Sequence, residues 1–169
     1  NGRTPLDEAD FRRAMAYAID VNGIMGTLFG EYCQPGTRGL VRSDLPYAVP
    51  GLEYTYDPQA ADQLLDSLGY TERNSGGIRL DQAGNPLELE LLVYANNPIR
   101  IRAAELVAQQ LAQVGISIQV TALEMDTVDA YVWPDFDVTK GRDYDLAMWG
   151  WGSSISMSYL VQLCAGDLT

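Results

Sequence analysis

Residues 87–122 read LELELLVYANNPIRIRAAELVAQQLAQVGISIQVTA. Leu87, Leu89 and Leu91 alternate with Glu88 and Glu90, the period-2 pattern of a strand with one face buried. Asn97-Pro98 then starts a helix, with the asparagine placed to cap it and the proline in its first turn. Ala103, Leu106, Val107, Gln110, Leu111 and Val114 fall on one side of that helix until Gly115 ends it. Ile116, Ile118, Val120 and Ala122 next alternate with Ser117, Gln119 and Thr121, so a second strand follows. Strand, helix and strand make a βαβ unit, whose crossover is right-handed and whose strands are parallel. The expected fold class is therefore α/β.

Working outward, Gly77-Ile78-Arg79-Leu80-Asp81, a turn through Gln82-Ala83-Gly84-Asn85-Pro86, and residues 87–91 read together as a β-hairpin. Before it, Asp57 is placed to cap a helix with Pro58 in its first turn. Ala61, Leu64, Leu65 and Leu68 supply the apolar face and Gly69 the stop. Two more helices are expected at about 8 to 20 and 23 to 29. The first has Phe11, Ala14, Met15, Ala18 and Ile19 at the spacing of one buried face, with Arg12, Arg13 and Asp20 off it. From Gly30 to Tyr56 the chain is irregular, with Pro35, Gly36, Gly39, Pro46, Pro50 and Gly51, and a loop of that length is usually functional or wrapped over a surface. Downstream come a helix around 126 to 133, a polar turn-rich segment to Arg142, an apolar strand within Asp143 to Gly152, and a helix near 156 to 163.

The chain has 169 residues, 47% of them hydrophobic, enough for one domain with a substantial core. Its net charge of -12 without a basic cluster argues against nucleic acid as a partner. No apolar run is long enough for a membrane span, and the amino terminus carries no signal segment. With no histidine, a zinc site or a Cys-His pair has no basis, and no cofactor is implied. Cys33 and Cys164 lie far apart, and a disulfide, two free thiols or pairing outside the chain all remain open.

Five blocks in this order resemble the family 5 extracellular solute-binding proteins, the peptide and nickel receptors of ABC importers. The helices from Phe11 to Gly30, with the break Asp20-x-Asn22-Gly23-Ile24, come first. Tyr56-Asp57-Pro58 through Ala61, Leu64-Leu65 and Gly69-Tyr70 is similar to the family's "Y-D-P-x-x-A-x-x-L-L-x-x-x-G-Y" element. Gly77 to Asp81 with Gly84-Asn85-Pro86-Leu87 resembles its "G-x-R-x-D … G-x-P-L" hairpin, and Ala104 to Leu111 with Val114-Gly115-Ile116 its next helix and strand. Tyr144-Asp145-Leu146-Ala147 through Trp149-Gly150-Trp151 resembles the strand that reaches the ligand cleft. The resemblance implies a periplasmic-binding-protein-like C-terminal lobe of type II, cluster C, with a mixed sheet flanked by helices. It also implies that residues 1–169 are one excised second lobe, without the first lobe or the segment that returns to it.

The resemblance and the strand pattern together put the ligand site around Trp149, Trp151, Gly152, Ser153 and Ser154, because a strand leaving a parallel sheet at its carboxyl end enters the crevice where α/β folds bind ligands. Trp149 and Trp151 lie on one side of the strand, and the glycines beside them admit ligand backbone. Two core tryptophans and a turn are the competing structural reading. In peptide-binding members an aspartate shortly after the tryptophan neutralises the ligand's amino group. This sequence has Ser154 there, and a hydroxyl cannot offset a buried ammonium. Sugars instead need aromatic platforms with hydroxyl partners, which Trp133, Tyr131, Trp149 and Trp151 offer beside the two serines. Lys140 and Arg142 are further candidates, for a ligand carboxylate, against the reading of solvated charges on a polar loop; Arg38 and Arg42 compare with them. Asp126, Asp129, Asp135, Asp137 and Asp143 match no calcium loop and read as surface acids.

The implied function is the binding component of an ABC importer, enclosing an oligopeptide or oligosaccharide between two lobes and delivering it to the permease subunits. It implies a periplasmic or extracellular location, with membrane attachment through a lipid anchor outside this chain. An enzyme, such as a carbohydrate-active one, has no histidine, no G-x-S-x-G and no acid pair to support it. A freestanding interaction domain is the third alternative.

Overall fold

Glu88–Tyr94 forms β1, the middle strand of a three-stranded parallel sheet in the order β2-β1-β3, with β2 at Ser117–Leu123 and β3 at Leu146–Met148. This computed structural model describes residues 5–33, 36, 44–49, 51, 55–136, 140 and 144–150. Leu89 pairs with Ile118 on one side of β1, and Leu92 with Ala147 on the other. Hydrogen-bonded along both edges and covered on both faces, β1 buries Leu91, Leu92, Val93 and Tyr94 in succession. Its alternation ends there.

Helices α1 (Ala9–Ala18), α2 (Val21–Phe29), α3 (Pro58–Ser67), α4 (Pro98–Gln113) and α5 (Met125–Val132) surround the sheet, and a short 3-10 turn follows at Pro134–Phe136. Leu87 and Leu89 face the larger core, packed with Phe11, Ala14, Met15 and Ala18 of α1, Leu65 of α3 and Leu111 of α4. Leu92 and Tyr94 face the other way, toward Val128 of α5. The expected α1 face is the buried one, and β1, α4 and β2 form the expected parallel βαβ unit.

Both proline-led helices start as their sequences predict: Asp57 accepts from the Ala60 N–H at 2.9 Å and Asn97 from the Arg100 N–H at 3.0 Å. Both end on a left-handed glycine. At Gly69 the Tyr70 N–H reaches the Leu65 carbonyl, and at Gly115 the Ile116 N–H reaches that of Leu111, closing each last turn. Within α4 the fully buried positions are Ala104 and Leu111, while Gln110 accepts the Asp20 N–H at 2.8 Å and so ties α4 to the start of α2.

The hairpin expected over residues 77–91 is shorter than its pattern suggests. Antiparallel bridges join Arg73 to Arg79 and Leu80 to Pro86, and the Leu87 N–H meets the Arg79 carbonyl at 2.8 Å. Beyond Leu87 the chain is claimed by the parallel sheet, because β2 and β3 take both of its edges. Likewise Ala122 is exposed although it keeps the alternation, since β2 is an edge strand among the described residues.

Arg79 is the buried charge at this corner, 2% exposed. Its guanidinium donates to Asp62 Oδ1 at 2.6 Å, Asp66 Oδ1 at 2.5 Å, the Val114 carbonyl at 2.8 Å and the Tyr70 carbonyl. One side chain thereby clasps α3 to the carboxyl end of α4, where a cation is also favoured by the helix dipole. Cys33 is a half-buried free thiol, and Cys164 lies outside the described residues, as does the helix expected near 156 to 163.

Candidate functional site

Parallel strands send their carboxyl ends to one edge of the sheet. At that edge Tyr94 closes β1, Trp149 follows β3, and Leu123 leads through Glu124 into α5. The Tyr94 and Trp149 rings meet edge to face, centroids 6.2 Å apart and planes at 71°. Trp149 meets Trp133, just past α5, in the same way at 5.8 Å and 77°. Three aromatic side chains from three segments thus form a continuous wall.

Charge is arranged around Tyr94. Its hydroxyl donates to Asp129 Oδ1 at 2.8 Å, and the Arg100 guanidinium carbon sits 5.3 Å from the centre of its ring. Burial first, then the hydrogen bond to Asp129 and the charge of that carboxylate, push the phenol up to about 12, with Arg100 pulling weakly the other way. At neutral pH Tyr94 is a fixed donor. Arg100 stands in the first turn of α4, whose amino end opens toward this edge. Gly150 passes so close that a Cβ there would lie 2.4 Å from an Arg100 terminal nitrogen.

Of the residues expected from sequence, Trp149 and Trp133 come together in this wall. Lys140 is exposed beside Asp135, 3.3 Å from its carboxylate. Trp151, Gly152, Ser153, Ser154 and Arg142 lie outside the described residues, as do Arg38 and Arg42. One sequence reading needs correction: Asp129 is not a free surface acid but a partly buried one held by Tyr94. Sequence reasoning also passed over Tyr94 and Arg100. Their signal was positional, since the residue closing a strand and the first turn of the following helix both belong to the strand's carboxyl end. Among the described residues no group of three or more acids and cysteines could hold a metal ion.

A cavity of about 570 Å³ opens on the opposite face of the sheet between α1 and β3. Its lining is mainly Leu6, Met15, Ile19, Val21 and Leu146, with Arg12 and Asp145 as its charged residues. The aromatic edge differs from it in joining rings to polar groups, the Tyr94 hydroxyl, Asp129 and Arg100.

A parallel sheet with helices on both faces and a cluster of aromatic rings at its strand ends is an α/β architecture of the kind that binds ligands at that edge. Residues 1–163 match the family described as bacterial extracellular solute-binding proteins, family 5, middle region, and the chain belongs to that family. It is 31% identical over 114 residues to a probable ABC transporter-binding protein of Deinococcus radiodurans, covering 67% of this chain and 19% of that protein. To the glutathione-binding protein GsiB of Escherichia coli it is 32% identical over 120 residues, 71% of this chain and 21% of the other. The mannohexaose-bound periplasmic oligopeptide-binding protein of Thermotoga maritima superposes with a TM-score of 0.75 at 25% identity, over 94% of this chain and 30% of that one. The fold is periplasmic-binding-protein-like, as the resemblance implied, and the chain spans about a fifth of the length of the curated relatives it matches. Those relatives carry the names of solute-binding and transport proteins, not of enzymes.

Proposed function

We propose that this chain is the second lobe of a two-lobe receptor that closes over a peptide-like or oligosaccharide ligand and presents it to the permease of an ABC importer. The observation that carries this reading is the aromatic wall of Tyr94, Trp149 and Trp133 at the carboxyl ends of the parallel strands. Trp151, Gly152, Ser153 and Ser154 continue the chain beyond Trp149, and in this reading they line the ligand from the same lobe, with Lys140 and Arg142 at the margin. Ligands named for the relatives, glutathione and mannohexaose, set the two classes to be tried first. The receptor acts outside the cytoplasmic membrane, held to it by a lipid anchor.

Closure divides the contacts between two lobes, so affinity belongs to the pair. Isothermal titration of the complete two-lobe protein with glutathione, a tetrapeptide library and mannohexaose should give micromolar or tighter binding to one of them, weakened by Trp149→Ala. The lobe alone should bind far more weakly. Equal affinity in the isolated lobe, or no binding by the complete protein, would overturn the reading.

A further inference from the structure

We infer that Asn22 is a site of spontaneous deamidation, gated by the cap at the start of α2. The chemistry is an attack of the following residue's backbone nitrogen on the asparagine side chain, and glycine in that place presents no side chain to crowd it. Asn22 is exposed and precedes Gly23, and among the described residues no other asparagine precedes glycine. Asn85 and Asn97 precede prolines, whose nitrogens have no proton to give up, and Asn96 precedes a second asparagine. Asn74 spends its side-chain oxygen on the Gly76 and Ile78 N–H groups, at 2.9 and 3.0 Å.

The fold both requires that glycine and shields it. A Cβ at position 23 would lie 2.3 Å from Asp20 Oδ2, so the capping carboxylate leaves no room for a larger residue. In the same contact the Gly23 N–H donates to Asp20 Oδ1 at 2.9 Å, and the Ile24 N–H reaches the Asp20 carbonyl at 3.0 Å. The Asp20 N–H is held in turn by Gln110 of α4 at 2.8 Å. The nitrogen that would attack is thus bound to an anion, which opposes loss of its proton. Helical backbone at Asn22 also keeps it off the side-chain carbonyl. Helix ends open locally far more often than the whole fold does. When the first turn opens, the Gly23 nitrogen loses its proton and bonds to Asn22 Cγ, the side-chain nitrogen leaves as ammonia, and water opens the resulting imide ring at either carbonyl. One opening gives aspartate, whose charge suits a helix amino end. The other gives isoaspartate, whose extra main-chain carbon shifts the Gly23 and Ile24 N–H groups away from Asp20.

The test incubates the complete protein in mildly alkaline buffer and follows the peptide carrying Asn22 by mass spectrometry, with electron-transfer fragmentation to separate aspartate from isoaspartate. Wild type should react about tenfold or more slowly when folded than in urea, since only the open first turn is reactive. Asp20→Ala removes the cap and Gln110→Ala the tie to α4. Each should speed the folded protein's reaction about fivefold, the size of one helix cap or hydrogen bond. Asp20→Asn keeps a capping oxygen and should stay near the wild-type rate, and it carries the test if Asp20→Ala lowers the urea midpoint of the whole protein. No reaction at Asn22 in urea overturns the site. Equal rates in the folded protein and in urea overturn the gate. So do alanine variants no faster than wild type, or Asp20→Asn as fast as Asp20→Ala.

Discussion

The Tyr94 hydroxyl donates to Asp129 across 2.8 Å, joining the last residue of the central strand to the middle of α5. Tyr94→Phe removes the donor and leaves a partly exposed carboxylate that water can reach. The expected cost is about 1 kcal/mol, a fall of roughly 2–4 °C in melting temperature. Calorimetry of the variant beside wild type checks it, and an unchanged midpoint would show that the bond contributes nothing.

The same phenol predicts an alkaline transition. Its ordinary value is 10.0 and the fold pushes it up to about 12. Because the folded value is the higher one, the unfolded chain releases the proton first. The stability tied to this group is fully present below pH 10 and is lost as pH rises toward 12. Urea midpoints between pH 9 and pH 12 should therefore fall more steeply in wild type than in Tyr94→Phe. Parallel curves would mean that the phenol ionises as freely in the folded state as in the unfolded one.

Arg79 carries a different kind of dependence. Removing it strands the Val114 and Tyr70 carbonyls and leaves Asp62 and Asp66 without their buried partner. Arg79→Met should cost about 2–3 kcal/mol, chiefly from the stranded carbonyls, because Asp62 and Asp66 stay half-exposed and Asp62 keeps Arg73. Arg79→Lys should recover only part, because an ammonium has three donors for four acceptors and lacks the guanidinium's fork. Asp62→Asn, at a half-exposed acid, should cost much less. Denaturant titration orders the three, and a lysine variant equal to wild type would reduce the clasp to simple charge.

Gly115 and Gly84 separate backbone strain from collision. Both are left-handed, at φ +87 and +84, so alanine is strained at either. At Gly84 a Cβ meets open space, whereas at Gly115 it lands 2.6 Å from Arg79 Cγ, in the pinned part of a buried side chain. Gly84→Ala should cost about 1 kcal/mol and Gly115→Ala about 3 kcal/mol, strain plus overpacking. Equal losses in urea would show that Arg79 yields.

Much of this architecture was legible because it is written in short-range chemistry. Asp57-Pro58 and Asn97-Pro98 announce their helices through their own caps, and Phe11, Ala14, Met15 and Ala18 declare a buried face by spacing alone. Less legible was anything fixed by competition between distant segments. Residues 87–91 satisfy a hairpin and a parallel strand equally well, and the choice belongs to β2 and β3, both well along the chain. The site divides in the same way. Trp149 was visible as an aromatic at a strand end, but Asp129 reads as one acid among several until Tyr94 reaches it. Arg100 likewise reads as an ordinary helix charge until its guanidinium is found over the Tyr94 ring.

Gly150 offers the last prediction, and it differs from Gly115 in what its missing side chain would strike. A Cβ at Gly150 would fall 2.4 Å from an Arg100 terminal nitrogen, the far end of a flexible side chain. The fold can absorb that by swinging the guanidinium off the Tyr94 ring, at the expense of the cation–π contact alone. Gly150→Ala should therefore lower stability by no more than about 1 kcal/mol, read from the urea midpoint. A large loss of stability would mean that the guanidinium is a structural clamp on the end of β3.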